Sequence, residues 1–175
     1  MAKINYKKIS CENLFECDQV MSAFRILLPN GKNRVITLKE WFNKIFQKKL
    51  NDSIPIVVSE QIEITRNIMV YGYFFYPIFT FASEQLTRIA ENAINIRCNS
   101  LQCPKSKKTF KEKIEWLHKN SLLSKESYLK WESIIKLRNK FSHPEKQSII
   151  TPFMGIELIN NIVEEINNLY TIKLS

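Results

Sequence analysis

Arg138, Asn139, Ser142 and His143 fall within six consecutive positions of the 175-residue chain. A histidine titrates near neutral pH and moves protons, whereas an arginine stays charged and grips a phosphate. Side by side they suit cleavage of a phosphodiester without a metal, the arginine stabilising charge that builds on the phosphate. The plainer use of basic residues in a last helical turn is to complement the helix dipole and bind its free carbonyls. From these residues alone both uses stay open.

The spacing indicates which element carries them. A helix begun at Lys125, with Ser124 as N-cap, puts Tyr128, Trp131, Ile134, Ile135 and Phe141 on one apolar arc, with Arg138 in its middle. A guanidinium in that position needs an anion, polar groups of another helix, or a second subunit. On a continuing helix His143 would point roughly 140° away from Arg138. Pro144 disfavours the α conformation in the residue before it, so the helix is predicted to end near Ser142 and free His143 to turn back.

The neighbouring elements are predicted helices. Glu60 to Asn99 is too long for one straight helix of ordinary size, and Pro77 is the natural break. Tyr71, Tyr73, Phe74, Phe75 and Tyr76 in its first half read as core or interface in preference to base-stacking rings. In the second half Phe79, Ala82, Leu86, Ile89, Ala93 and Ile96 form a buried stripe. Glu84, Arg88, Glu91 and Asn95 form a polar stripe on the same helix, either a solvent face with i,i+4 pairing or the source of a carboxylate for Arg138. Residues 100 to 109 form a basic loop, a short helix runs from Phe110 to Asn120, and Thr151-Pro152 opens a last helix burying Leu158, Ile159, Ile162, Ile166 and Leu169. Before all of these, residues 1 to 55 read as a small α+β extension. Its first 22 residues are irregular, a possible hairpin turns at Pro29-Asn30-Gly31-Lys32, and Thr37 to Glu40 has the form of a capping box. Residues 56 to 175 form the helical domain.

The net charge of +9 is unevenly placed: +5 over residues 1 to 55, −1 over 56 to 100, +7 over 101 to 148 and −2 thereafter. Such a concentration attracts polyanions, nucleic acid above all, although a solvated lysine face is the plain alternative. Three glycines leave no material for a phosphate-cradling loop, and no stretch reaches the about 18 apolar residues of a membrane span. Nothing at the N-terminus has the form of a secretory signal, so a soluble, cytoplasmic protein is expected. Cys11 and Cys17 are separated by five residues and Cys98 and Cys103 by four, with the two pairs far apart, so free thiols are expected in preference to a zinc site. His118 is expected to be an ordinary exposed residue.

This order of helices, with one ending in Arg138-Asn139 and then His143-Pro144, resembles the HEPN domain superfamily, whose hallmark is Arg, four to six residues, then His, commonly with Asn after the Arg. The resemblance spans about residues 57 to 172. It implies an all-α, up-and-down bundle that dimerises so that two motifs share one cleft. It also implies a metal-independent endoribonuclease of toxin-antitoxin or anti-phage systems, needing no cofactor, with RNA as substrate and an antitoxin or defence protein as a further partner. In that reading Arg138, Asn139 and His143 are catalytic. Glu84 and Ser142 support them, and Lys105, Lys107, Lys108, Lys111, Lys136, Lys140 and Lys146 hold the RNA backbone. The alternative is a non-catalytic module that binds RNA or docks a partner.

Overall fold

A computed structural model describes residues 7–142 and 150–171. The chain is mainly helical, with one two-stranded sheet near its start. In the extension, α1 (Gln19–Ala23) precedes the antiparallel strands β1 (Arg25–Leu27) and β2 (Asn33–Val35), in which Arg25 faces Val35. The hairpin closes through Leu28 N–H to the Lys32 carbonyl at 2.8 Å, and Gly31 takes the left-handed φ of 76° that glycine tolerates best. α2 (Leu38–Ile45) starts on the expected Thr37/Glu40 capping box. The short helix α1 was not expected in this irregular region. It forms because Asp18 caps it, one carboxylate oxygen accepting from Val20 N–H at 2.9 Å and the other from Tyr76 N–H at 3.0 Å.

The bundle comprises α3 (Ile56–Tyr71), α4 (Tyr76–Ser100), α5 (Phe110–Lys119), α6 (Lys125–Phe141) and α7 (Pro152–Thr171). The expected break at Pro77 lies earlier, at Gly72 to Phe75, and Pro77 sits in the first turn of α4, where its missing N–H costs nothing. Gly72 makes the sharp turn possible: a Cβ there would lie 2.6 Å from Cβ of Phe79. Most of the aromatic run therefore lies in this turn and ties the extension to it. Tyr73 Oη donates to the Ile36 carbonyl at 3.2 Å, and the Phe74 ring centroid lies 6.0 Å from that of Phe15.

One core serves the extension and the bundle. Met21, Ile36, Trp41, Ile45 and Ile54 belong to the same buried cluster as Phe79, Leu86, Trp131 and Ile162. Trp41 is fully buried, and its indole N–H donates to the Met69 carbonyl at 3.1 Å. All five residues expected to be buried by α7 are buried, as are Phe110, Ile114 and Leu117 of α5. Of the stripe on α4, only Ile96 is partly exposed. Among the described residues no helix is long and apolar enough to cross a membrane.

The direction of the last helix departs from simple up-and-down order, which would set α7 antiparallel to α4. Gly155 packs on Phe79 near the start of both helices, and Tyr170 Oη donates to the Ala93 carbonyl at 3.0 Å further along both, so the two run in the same direction. α5, with 10 residues, covers about 15 Å of the roughly 37 Å of α4, so the chain does not return to the start of α4 before α6 begins.

Candidate functional site

Among the described residues two polar interhelical contacts help to hold α6. Towards its start Ser127 Oγ bonds the carboxylate of Glu165 on α7, a side chain only 1% exposed. Lys130 Nζ lies 3.2 Å from Oε1 of the same Glu165, 3.2 Å from Glu126 and 3.3 Å from Glu164, which also pairs with Lys48 at 2.8 Å. Burial pulls the Lys130 ammonium down, but Glu126, Glu165 and Glu164 outweigh it and hold the group well above the ordinary lysine range.

The second contact is at the other end of the helix. Arg138 donates from Nε to Oε2 of Glu91 on α4 at 3.0 Å. Among the described residues neither Nη of Arg138 has a hydrogen-bond acceptor. The guanidinium borders a cleft of about 230 Å³ lined by Thr87, Arg88, Glu91, Arg138, Phe141 and Ser142. An arginine anchored through Nε presents its outer edge, the geometry that suits bidentate binding of a phosphate.

The carboxylate facing Arg138 is thus Glu91, not Glu84. Both belong to the polar stripe of α4, but Glu91 lies two turns further along, at the level where α6 crosses. Glu84 is half-buried, and burial raises its carboxyl above the usual range, with Arg88 opposing. Ser142 is the C-cap, as expected from Pro144: its N–H and its hydroxyl both donate to the Arg138 carbonyl, at 3.1 and 3.0 Å. That hydroxyl serves the helix end while its residue lines the cleft. Asn139 is exposed beside Arg138. His143 and Lys146 lie outside the described residues.

The remaining basic residues form two groups. Lys136 and Lys140 are exposed on α6 with Arg138. Lys105 and Lys108 are exposed and Lys107 half-buried in the α4–α5 loop, and Lys111 lies 3.8 Å from Glu115 on α5. This second group begins beyond Ser100, about 14 Å of helix past Glu91. Arg88, exposed at the cleft rim, is a cation that the sequence placed only in the polar stripe. His118 is not simply exposed: it is half-buried, stacks on Tyr128 at 4.6 Å and bonds the Leu123 carbonyl through Nδ1 at 3.0 Å.

A larger groove of about 800 Å³ runs between the α2–α3 link and α3, but its buried Arg66 is already engaged at both Nη groups, by Glu63 and by the Lys48 carbonyl. Among the described residues no three His, Cys, Asp or Glu side chains are grouped to hold a metal ion. No family model matches the chain, and no curated protein or solved structure matches it either.

Proposed function

We propose that the chain is a metal-independent endoribonuclease of the HEPN type. The observation that supports this most is Arg138, held through Nε by Glu91 at the border of a cleft at a helix end. In this reading the guanidinium grips the scissile phosphate and stabilises charge developing on it. His143 acts as general acid or base, Asn139 orients the scissile group, and the ribose 2′-hydroxyl is the nucleophile. The products are a 2′,3′-cyclic phosphate and a 5′-hydroxyl, so DNA is spared.

One motif histidine does not easily serve as both acid and base in a single transfer. A two-fold homodimer would supply two copies of His143 and Arg138 to one site. In this reading Lys136 and Lys140 of α6, with Arg88 at the cleft rim, hold the RNA backbone, and Lys105, Lys107, Lys108 and Lys111 hold it further along. The biological setting in this proposal is toxin-antitoxin or anti-phage defence in the cytoplasm.

The test is incubation of wild type and His143→Ala with labelled single-stranded RNA and the equivalent DNA in EDTA, with oligomeric state checked by light scattering. Cleavage of RNA alone, giving cyclic-phosphate ends and lost in the folded mutant, is the expected result. Salt-dependent RNA binding without cleavage by either protein would replace the nuclease with a non-catalytic RNA-binding module.

A further inference from the structure

α4 and α5 end in the same backbone turn. After α4, Gln102 takes a left-handed φ of 54°, its N–H donates to the Asn99 carbonyl at 3.2 Å, and the next N–H, of Cys103, donates to the Cys98 carbonyl at 2.9 Å. After α5, Ser121 has φ 58°, Ser121 N–H reaches the His118 carbonyl at 3.0 Å, and Leu122 N–H reaches the Leu117 carbonyl at 2.9 Å. Both are Schellman turns, in which the side chains at the two ends of the longer hydrogen bond meet. In the second turn those side chains are Leu117 and Leu122. In the first they are Cys98 and Cys103, and, adding to the effect of burial, the Cys103 thiol is near enough to raise the pKa of Cys98.

The turn also fixes the spacing of the two backbones. A 2.9 Å hydrogen bond from Cys103 N to Cys98 O, with the covalent bonds on either side, limits the Cα separation to at most about 6.8 Å. A disulfide spans Cα separations of about 4.4–6.8 Å. Cys98 is fully buried and Cys103 half-buried against the same core, and both are free thiols.

We propose that Cys98 and Cys103 are a site of reversible thiol oxidation that closes to an intramolecular disulfide by exchange with a small soluble disulfide. Cys103, the more exposed, attacks one sulfur of the small disulfide as its thiolate. It forms a mixed disulfide and releases one small thiol. The Cys98 thiolate then attacks the Cys103 sulfur, forming the internal bond and releasing the second small thiol. Two protein thiols are oxidised by two electrons, and one disulfide is reduced to two thiols. The bond would pin the start of the loop carrying Lys105, Lys107 and Lys108 to the core.

The second step is the slow one. Burial pushes the Cys98 thiol up to about 12, and the neighbouring thiol adds to the shift. Below that range its thiolate fraction, and with it the closing rate, rises about tenfold per pH unit. This inference stands apart from the nuclease reading and uses none of the residues assigned to catalysis.

The full-length chain, equilibrated with mixtures of oxidised and reduced glutathione, is quenched with an alkylating agent and digested with trypsin. Arg97 and Lys105 bracket both cysteines in one peptide, so closure appears as that peptide without alkyl groups and lacking two hydrogens. Exposed Cys11 reports that the oxidant acted. The expected result is a closed peptide in wild type, formed faster at higher pH, and in Cys98→Ala a glutathione adduct that stays on Cys103. A wild-type adduct on Cys103 that never closes, or modified Cys11 with Cys98 and Cys103 both still alkylated, would overturn the proposal.

Discussion

Two cation–carboxylate contacts eight residues apart on α6 differ in the burial of the acceptor and in the number of carboxylates. At Lys130 the acceptor, Glu165, is 1% exposed, and three carboxylates crowd one ammonium. At Arg138 the side chains of the pair are 37% and 25% exposed, one contact holds the guanidinium, and a cleft opens beside it. In the first contact only the Glu165 acceptor is enclosed, and the Lys130 side chain that serves it is 32% exposed. The second leaves hydrogen-bonding capacity at the surface. Among the described residues the same helix is therefore anchored at one end and leaves both Nη groups of Arg138 without an acceptor at the other, which is how a rigid element positions a reactive group.

Breaking the first contact has the largest expected effect on stability. Lys130→Met leaves Glu165 buried without its cation, and the expected loss is about 3 kcal/mol, read as a shift in the denaturant midpoint. A midpoint within about 0.5 kcal/mol of wild type would mean that Ser127 alone satisfies Glu165. Breaking the second contact acts on the site instead. Glu91→Gln keeps the shape but weakens the hold on Arg138; RNA cleavage should fall about tenfold, while stability changes by less than about 1 kcal/mol, as for a partly exposed pair.

Glu164 sharpens the contrast through pH. Lys48 and Lys130, against burial, hold its carboxyl below the ordinary 4.5. A lowered folded-state pKa adds stability above the unfolded value and loses it as pH falls through the folded one. Because Glu164 is partly exposed, the effect is a fraction of a kcal/mol. Glu164→Gln should flatten the acid side of the stability curve, below about pH 4.5, by that amount. The smallest expected change is at the rim: Lys140→Gln should leave stability alone, weaken RNA binding modestly and lower the salt slope by about one. An unchanged slope would remove Lys140 from the RNA path.

What was legible in the sequence is what neighbouring residues decide. The capping boxes at Thr37 and Thr109, the Ser124 cap and the end of α6 at Ser142 are local chemistry, and Thr37, Ser124 and the helix end were read directly. The buried faces of α4 and α7 followed from period. The register between helices did not. Glu84 and Glu91 share one stripe, and only the crossing of α6 over α4 selects Glu91. Pro77 signalled a break near the right place, but Gly72 sets it because of its approach to Phe79, a contact between two helices. The spacing of Cys98 and Cys103 argued against zinc; that they occupy the two touching positions of one turn required its left-handed residue, Gln102.

The central claim is that Arg138 serves the phosphate and not the fold. Its direct measurement is RNA cleavage in EDTA by Arg138→Ala against wild type, normalised to folded protein from denaturation of the same samples. A loss of about a hundredfold or more in rate, with stability within about 1 kcal/mol, is the predicted result. Equal cleavage rates, or a loss matched by unfolding, would contradict it and place Arg138 with Lys130 among the residues that only hold α6.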